Sequence, residues 1–297
     1  MASPLPDASA RPPAARVHSF FDRSTGTATH VLWCPATRRA AVIDSVLDFD
    51  PRSGRSATRS ADRVLDFLRD EALAVDWLLE THVHADHFSA AAYLRDRVGG
   101  RIAIGAGIRQ VQQVFKPIFN AAHMGTDGTP FDQLFTDGER FAIGELQATV
   151  MHTPGHTPAC VCYVVGGDAF VGDTLFMPDA GSARCDFPGG DARTLFRSIR
   201  RILALPAETR LHLCHDYPPA HREATWCTTV AAQRAANVHV HDGIAEDDFV
   251  ARRTARDRTL DMPALLLPAI QVNAQAGRFP PAEDNGVRYL KIPLDAL

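Results

Sequence analysis

Thr81-His82-Val83-His84-Ala85-Asp86-His87 places three imidazoles and a carboxylate directly behind the apolar run Val75-Asp76-Trp77-Leu78-Leu79-Glu80. Borderline nitrogen donors beside a hard oxygen donor, at this density, point to a metal site. The run before them has the length and apolar character of a buried strand. The histidines therefore sit at a strand's C-terminal end. His82 and His84 are two apart and share a side of an extended segment, whereas Asp86 and His87 follow the turn and approach from another direction.

Three more apparent strands end in ligand-type residues. Met151-His152-Thr153-Pro154-Gly155-His156-Thr157-Pro158 is one such loop, Val171-Gly172-Asp173-Thr174 another, and Cys214-His215-Asp216-Tyr217 a third. A lone histidine is more often a satisfied core residue, but four such loops together make a metal centre. The Pro-Gly before His156 sets a tight turn that presents its imidazole, and Gly172 lets the backbone approach closely beside Asp173. His152 ends a strand and reads as structural.

The remaining chain alternates strands and helices. A hairpin is expected over 18–34 and strands at 40–43, 75–79, 101–104, 140–143, 145–151, 159–165, 169–171 and 210–214. Helices are expected at 60–73, 89–98, 108–119, 195–205, 225–237 and 246–258. Strands followed by helices, given twice, predict an α/β protein: an αββα sandwich whose sheets gather all four ligand loops along one edge. The expected organisation is a disordered leader at 1–16, the sandwich at 17–237, and a C-terminal helical extension and tail at 238–297 packed on the same domain.

A net charge of −4 with 22% charged residues leaves no footprint for nucleic acid. No apolar run approaches the ~20 residues of a membrane helix, and the Ala/Pro/Ser-rich start lacks a secretory pattern. The cysteines, at 34, 160, 162, 185, 214 and 227, contain no Cys-x-x-Cys pair. Cys160 and Cys162 read as buried on one face of a strand. A reduced, cytoplasmic protein without a disulfide framework is expected.

The His-x-His-x-Asp-His run with its later His, Asp and His resembles the metallo-β-lactamase superfamily over about residues 17 to 235, which implies the αββα fold. In that superfamily His82, His84 and His156 would face a first metal, Asp86, His87 and His215 a second, and Asp173 would bridge. Thr-Pro-Gly-His-Thr-Pro (153–158), Gly-Asp-Thr-Leu-Phe (172–176), Gly-x-x-Arg-Cys-Asp-Phe (181–187) and His-Asp-Tyr (215–217) are similar to the persulfide dioxygenases, the family of the ethylmalonic encephalopathy protein. The tail from Val272-Asn273 to Pro293 is similar to a bacterial subgroup fused or linked to sulfide-responsive operons.

That resemblance implies one Fe(II) on His82, His156 and Asp173, a facial triad with open positions. His84, Asp86, His87 and His215 would then orient the ligands. Zinc, as an alternative or second metal, stays open, because the sequence alone equally permits two metals. The implied reaction is oxidation of glutathione persulfide by O2 to sulfite and glutathione. Arg184 is the candidate partner of a glutathione carboxylate, and Asp186 would orient it. Tyr217 could address the substrate, and Cys185 reads as a small buried residue. A homodimer is implied, with the C-terminal helices and tail as contact or lid. Competing readings are a dizinc thioester hydrolase of the glyoxalase II type, a β-lactamase, and a non-catalytic metal-dependent sensor.

Overall fold

In the computed structural model, which describes residues 14–296, the chain first lays down β1 (Arg16–Asp22), β2 (Thr27–Trp33), β3 (Arg39–Ile43), β4 (Val46–Asp50) and β5 (Arg55–Ala57). Helix α1 (Arg59–Asp70) leads to β6 (Ala74–Leu79), β7 (Phe88–Ser89), α2 (Ala91–Val98), β8 (Arg101–Gly105), α3 (Ile108–Ile118) and β9 (Gln133–Phe135). The second half runs β10 (Arg140–Ile143), β11 (Leu146–His152), β12 (Val161–Val165), β13 (Asp168–Phe170), α4 (Ala192–Leu203), β14 (Arg210–His212), β15 (Cys227–Thr229), α5 (Val230–Ala236), α6 (Glu246–Asp257) and α7 (Leu266–Asn273).

Strands β1-β2-β3-β6-β8-β9 form one sheet and β10 to β15 a second, in sequence order. In the first sheet β3, β6, β8 and β9 run parallel, so their connections cross outside the sheet, through α1, α2 and α3. Such strands are covered on both faces, which explains the near-continuous apolar runs. Leu32, Ile43, Trp77 and Leu79 meet Phe141, Val150, Tyr163 and Phe170 between the sheets. Val64, Leu68, Leu94 and Phe115 cover the outer face of the first sheet, and Leu195, Ile199, Ile202 and Phe249 that of the second. Each large apolar side chain buried this way contributes roughly 1.5–3 kcal/mol. The result is the expected αββα sandwich. Among the described residues no helix is long and apolar enough to cross a membrane.

Several boundaries differ from expectation. Of the leader, residues 1–13 lie outside the described residues, and Arg16 already opens β1. Within 225–237, Cys227–Thr229 form an edge strand against β14, because Thr228 and Thr229 favour extended backbone; Thr229 then caps α5 by accepting from the Ala232 amide at 3.1 Å. Val272 and Asn273 belong to α7 rather than to the tail. Helix α4 begins at Ala192, where the Asp191 carboxylate accepts from the Thr194 amide.

Candidate metal centre

The four loops converge at the open edge between the sheets. In the first, Thr81 fixes the geometry. Its hydroxyl donates to Asp44 Oδ2 at 2.8 Å and so accepts from His82 Nδ1 at 3.0 Å. Nε2 of His82 is then the free lone pair. Asp44 Oδ1 accepts from His84 Nε2 at 3.0 Å, which leaves Nδ1 of that ring free. His87 Nδ1 donates to the Phe88 carbonyl at 3.0 Å, and His156 Nδ1 to the Arg184 carbonyl at 2.8 Å. His215 Nδ1 lies 3.3 Å from both the Gly26 carbonyl and Thr27 Oγ1. Each ring spends one nitrogen on the scaffold and turns the other inward, as metal-ligating histidines do.

The inward atoms have no other partner. His82 Nε2, His84 Nδ1, His87 Nε2, His215 Nε2, Asp86 Oδ2 and Asp173 Oδ1 are all buried without a hydrogen bond. An orphaned buried polar atom costs about 1–3 kcal/mol, so six converging ones fit a cation and little else. Ligand atoms of His82, His156 and Asp173 lie within 4.8 Å of one another. Asp173 Oδ2 is 3.6 Å from His82 Nε2 and 3.7 Å from His156 Nε2, while its Oδ1 is 3.4 Å from His215 Nε2. His215 Nε2 is in turn 3.1 Å from Asp86 Oδ2. Asp173 thus offers one oxygen to each half of the site. A second group, also within 4.8 Å, joins His84, His87 and His215 with Cys214.

Burial and the neighbouring charges act unevenly on the groups of the centre. Burial first, then neighbouring histidines, hold His82 well below its ordinary value and lower His87 to about 4, so both rings are neutral ligands at pH 7. Burial also works against a proton on His84, but Asp44 and Glu80 outweigh it and raise that ring well above the usual range. Burial raises Asp173 despite the histidines around it, whereas His215 and His87 overcome burial at Asp86 and lower it.

Glycine is required at two positions. Gly172 has φ +52°, and a Cβ there would run into the Thr81 hydroxyl, so its close approach serves the neighbouring loop. Gly155, at φ +133°, lets its loop sit against the Leu195 backbone, which a Cβ would overlap. His152 has the structural place expected of it, with Nε2 donating to the Pro158 carbonyl at 3.1 Å.

A cavity of about 540 Å³ reaches His156, Asp173 and Asp86, and is walled by Arg184, Arg253, Arg256 and His239. A second, of about 1040 Å³, reaches Asp86 and His87 from the side of β4. Tyr217 lines both and stacks on His215, with ring centroids 5.7 Å apart. Arg184 does line the first cavity, but Asp186 takes its Nε and Nη2 at 2.5 and 2.6 Å and the Asp261 carbonyl its Nη1 at 2.6 Å. Its charge is offset within the protein, and Asp186 orients it as expected. Arg253 is likewise paired, with Asp257. Arg256 has no carboxylate partner among the described residues and touches only Thr259 Oγ1, at 3.4 Å. Cys185 is buried, as expected.

The sequence reading missed two supporting residues. Asp44 ends β3, where a strand-end carboxylate could have signalled a partner for the histidines. Asn273, on α7, donates to the His84 and His87 carbonyls at 2.8 and 2.7 Å and accepts from the Ser89 amide at 2.8 Å. No signal in its surroundings marked it.

The family model described as the metallo-beta-lactamase superfamily matches residues 26–215, which contain every residue of the centre. The chain belongs to this superfamily. A probable metallo-hydrolase of Burkholderia pseudomallei is 56% identical over 292 residues, covering 95% of this chain and 99% of that protein. Glyoxylase B2 of Dictyostelium discoideum is 49% identical over 286 residues, covering 95% and 98%. The mitochondrial persulfide dioxygenase ETHE1 of Homo sapiens is 28% identical over 204 residues, covering 68% of each chain. Among solved structures, ETHE1 from Myxococcus xanthus superposes with a TM-score of 0.71 at 26% identity, covering 89% of this chain and all of that one.

Proposed function

We propose that this chain is an iron-dependent persulfide dioxygenase, converting glutathione persulfide, O2 and water to glutathione and sulfite. The observation that carries the reading is the compact group His82, His156 and Asp173, two imidazoles and one carboxylate facing an open cavity. Three protein ligands on one face leave positions for substrate, unlike a closed four-ligand site. Similarity to ETHE1 in sequence and fold supports it. Ferrous iron, when bound by these residues, supplies the redox chemistry that joins O2 to sulfur.

The chain's own residues bind and orient. Thr81 and the Arg184 carbonyl fix the tautomers of His82 and His156, so both present Nε2. Of the three arginines on the cavity wall, Arg256 keeps a charge that no carboxylate offsets among the described residues, which suits a substrate carboxylate. Arg256 thus takes the carboxylate role expected of Arg184. The Arg184–Asp186 pair instead holds the loop that carries the His156 acceptor. Tyr217, which also lines the cavity, would address the persulfide.

A second reading, a metal-dependent thioester hydrolase, is favoured by one observation: the orphaned donors of Asp86, His87 and His215 offer a second metal position. The names of the relatives at 49% and 56% identity agree with it. The two are separated by loading metal-free protein with Fe(II) or Zn(II) and measuring O2 uptake with glutathione persulfide beside S-lactoylglutathione hydrolysis. Iron-dependent O2 uptake with sulfite release is expected. Zinc-dependent hydrolysis without O2 uptake would overturn the oxygenase reading.

A further inference from the structure

We propose that Arg222 is a positioning residue of the centre. It ties the loop that carries Tyr217 to the loop that carries Phe176, and so holds the Tyr217 ring where the two cavities meet. Asp86, Tyr217 and Pro263 line both cavities, and Phe176 and Asp179 line the smaller one.

Tyr217 needs such a holder because its own hydroxyl provides none. Of the four tyrosines, Tyr93 donates to Asp62 Oδ1 at 2.5 Å and Tyr163 to the Glu80 carbonyl at 2.9 Å, while the Tyr289 hydroxyl accepts from Asn285 Nδ2 at 2.6 Å. The Tyr217 hydroxyl has no hydrogen-bond partner among the described residues, and the residue is 54% exposed. Its ring is placed by flat contacts. It stacks on His215 with the planes within 9° of parallel and meets Phe176 edge-on at a centroid distance of 6.1 Å. It also rests on Gly26, where a Cβ would come within 2.9 Å of the ring. These contacts hold only while the backbone beneath each ring stays in place.

Arg222 holds that backbone. Asp216, directly before Tyr217, has a fully buried carboxylate. Its Oδ2 accepts from Arg222 Nη1 and from the Thr225 amide, both at 2.7 Å, and its Oδ1 from Arg222 Nη2 at 2.9 Å. Asp179, three residues beyond Phe176, accepts from Arg222 Nε at 2.9 Å and from Nη2 at 3.1 Å. The other Nη1 hydrogen goes to the Glu223 carbonyl at 3.0 Å. Every N–H of the guanidinium is therefore spent, and its planar fork meets two carboxylates at once. A surface ion pair contributes little. This one differs, because the Arg222 side chain is only 23% exposed and one of its partners is sealed from water. The Phe176 loop is held independently: the Phe176 amide donates to the Gly181 carbonyl at 3.0 Å, and its carbonyl accepts from Gln233 Nε2 at 2.7 Å. That loop is the firm anchor, and the Tyr217 loop is the one that Arg222 restrains. The placement of the ring stands on this geometry alone; what its hydroxyl does to substrate rests on the reading under Proposed function.

The test is fluorine NMR of full-length, zinc-loaded protein made with 3-fluorotyrosine. Tyr93, Tyr163, Tyr217 and Tyr289 give four resonances, and Tyr217→Phe assigns the one of interest. In Arg222→Met the Tyr217 resonance is expected to move toward the value of free 3-fluorotyrosine while the other three stay. Arg222→Lys, a point charge without the fork, and Asp179→Ala are expected to move it the same way and less far. A Tyr217 resonance that stays in place in folded Arg222→Met would overturn the proposal. Should that variant fail to fold, with all four resonances moving together, Asp179→Ala decides, since it leaves the buried Asp216 paired; an unmoved resonance there overturns the proposal equally. A second readout combines Arg222→Met with Tyr217→Phe, assayed for whichever of the two reactions the metal-loaded protein performs. Arg222→Met alone is expected to lower kcat about 10- to 100-fold with KM unchanged, and to add little to the loss in Tyr217→Phe. Losses that multiply in the double variant would make Arg222 a structural residue only. An absent oxygenase activity leaves the fluorine result standing, so the two readings fail separately.

Discussion

At the scale of single residues, the centre rests on a carboxylate whose partners are fixed, Asp44, and the cavity on a guanidinium without a carboxylate partner among the described residues, Arg256. Asp44 accepts from the Thr81 amide at 2.7 Å, the Thr81 hydroxyl at 2.8 Å and His84 Nε2 at 3.0 Å, so both oxygens serve the metal loop. Asp44→Asn substitutes an amide donor for one oxygen and forces a donor against a donor. Metal affinity, measured by chelator competition, is expected to fall about 10- to 100-fold, as for other carboxylates that orient ligating histidines. Unchanged affinity would remove Asp44 from the centre. Arg256 gives the complementary prediction for substrate. A charge-assisted hydrogen bond contributes about 1.5–3 kcal/mol, or roughly 10- to 100-fold. Arg256→Ala is expected to raise KM for glutathione persulfide by that factor while leaving a persulfide without carboxylates unaffected. An equal loss for both substrates would place Arg256 outside carboxylate recognition.

At the scale of elements, the C-terminal segment supports the histidine loop. Helix α7 buries Leu266, Ala269, Ile270 and Val272 in the outer core of the first sheet. Its last residue, Asn273, closes hydrogen bonds on the carbonyls of His84 and His87 and the amide of Ser89. Asn273→Ala leaves these buried groups unpaired, at about 1–3 kcal/mol each. A thermal midpoint several degrees lower and weaker metal binding are expected together; a stability loss with intact metal affinity would make α7 a packing element only. Helix α7 was not legible because it is apolar around most of its circumference and carries Pro268 in its first turns, so neither amphipathic period nor composition marks a helix. The edge strand Cys227–Thr229 was hidden inside a helical pattern because strand identity at an edge depends on its neighbour, here β14. The strand-end loops were legible for the opposite reason. Their residue types are costly to bury without a ligand, so the histidines and aspartates declare the site before the fold is known. The position of Arg184 within its motif was also legible, but its engagement by Asp186 and Asp261 depends on chain geometry that no spacing encodes.

At the scale of the whole molecule, the two sheets are joined at the site by polar contacts between layers. His30, on β2, donates from Nε2 to the Leu213 carbonyl beyond β14 at 3.0 Å, while its Nδ1 meets Ser19 Oγ at 2.8 Å. Tyr163, on β12, donates across to the Glu80 carbonyl at 2.9 Å. Burial, then His212, lowers His30 to about 3. Its ring is neutral in the folded chain but titrates near 6.5 when unfolded. The unfolded state therefore binds the extra proton, and the stability His30 carries is present above about pH 6.5 and lost as pH falls toward about 3. His87, lowered to about 4, acts in the same direction in metal-free protein, whereas the raised carboxyls of Glu80 and Asp173 oppose it. The separable quantity is the difference made by one residue. His30→Gln retains an amide donor for Leu213 and removes the titration. Urea unfolding of metal-free protein between about pH 4 and 6.5 is expected to show native stability rising more steeply with pH than that of the variant. The slope difference is one proton, about 1.4 kcal/mol per pH unit. Parallel profiles displaced by a constant would mean that His30 is already protonated in the fold. The contact between the layers would then be a charge-assisted hydrogen bond from the charged ring to the Leu213 carbonyl.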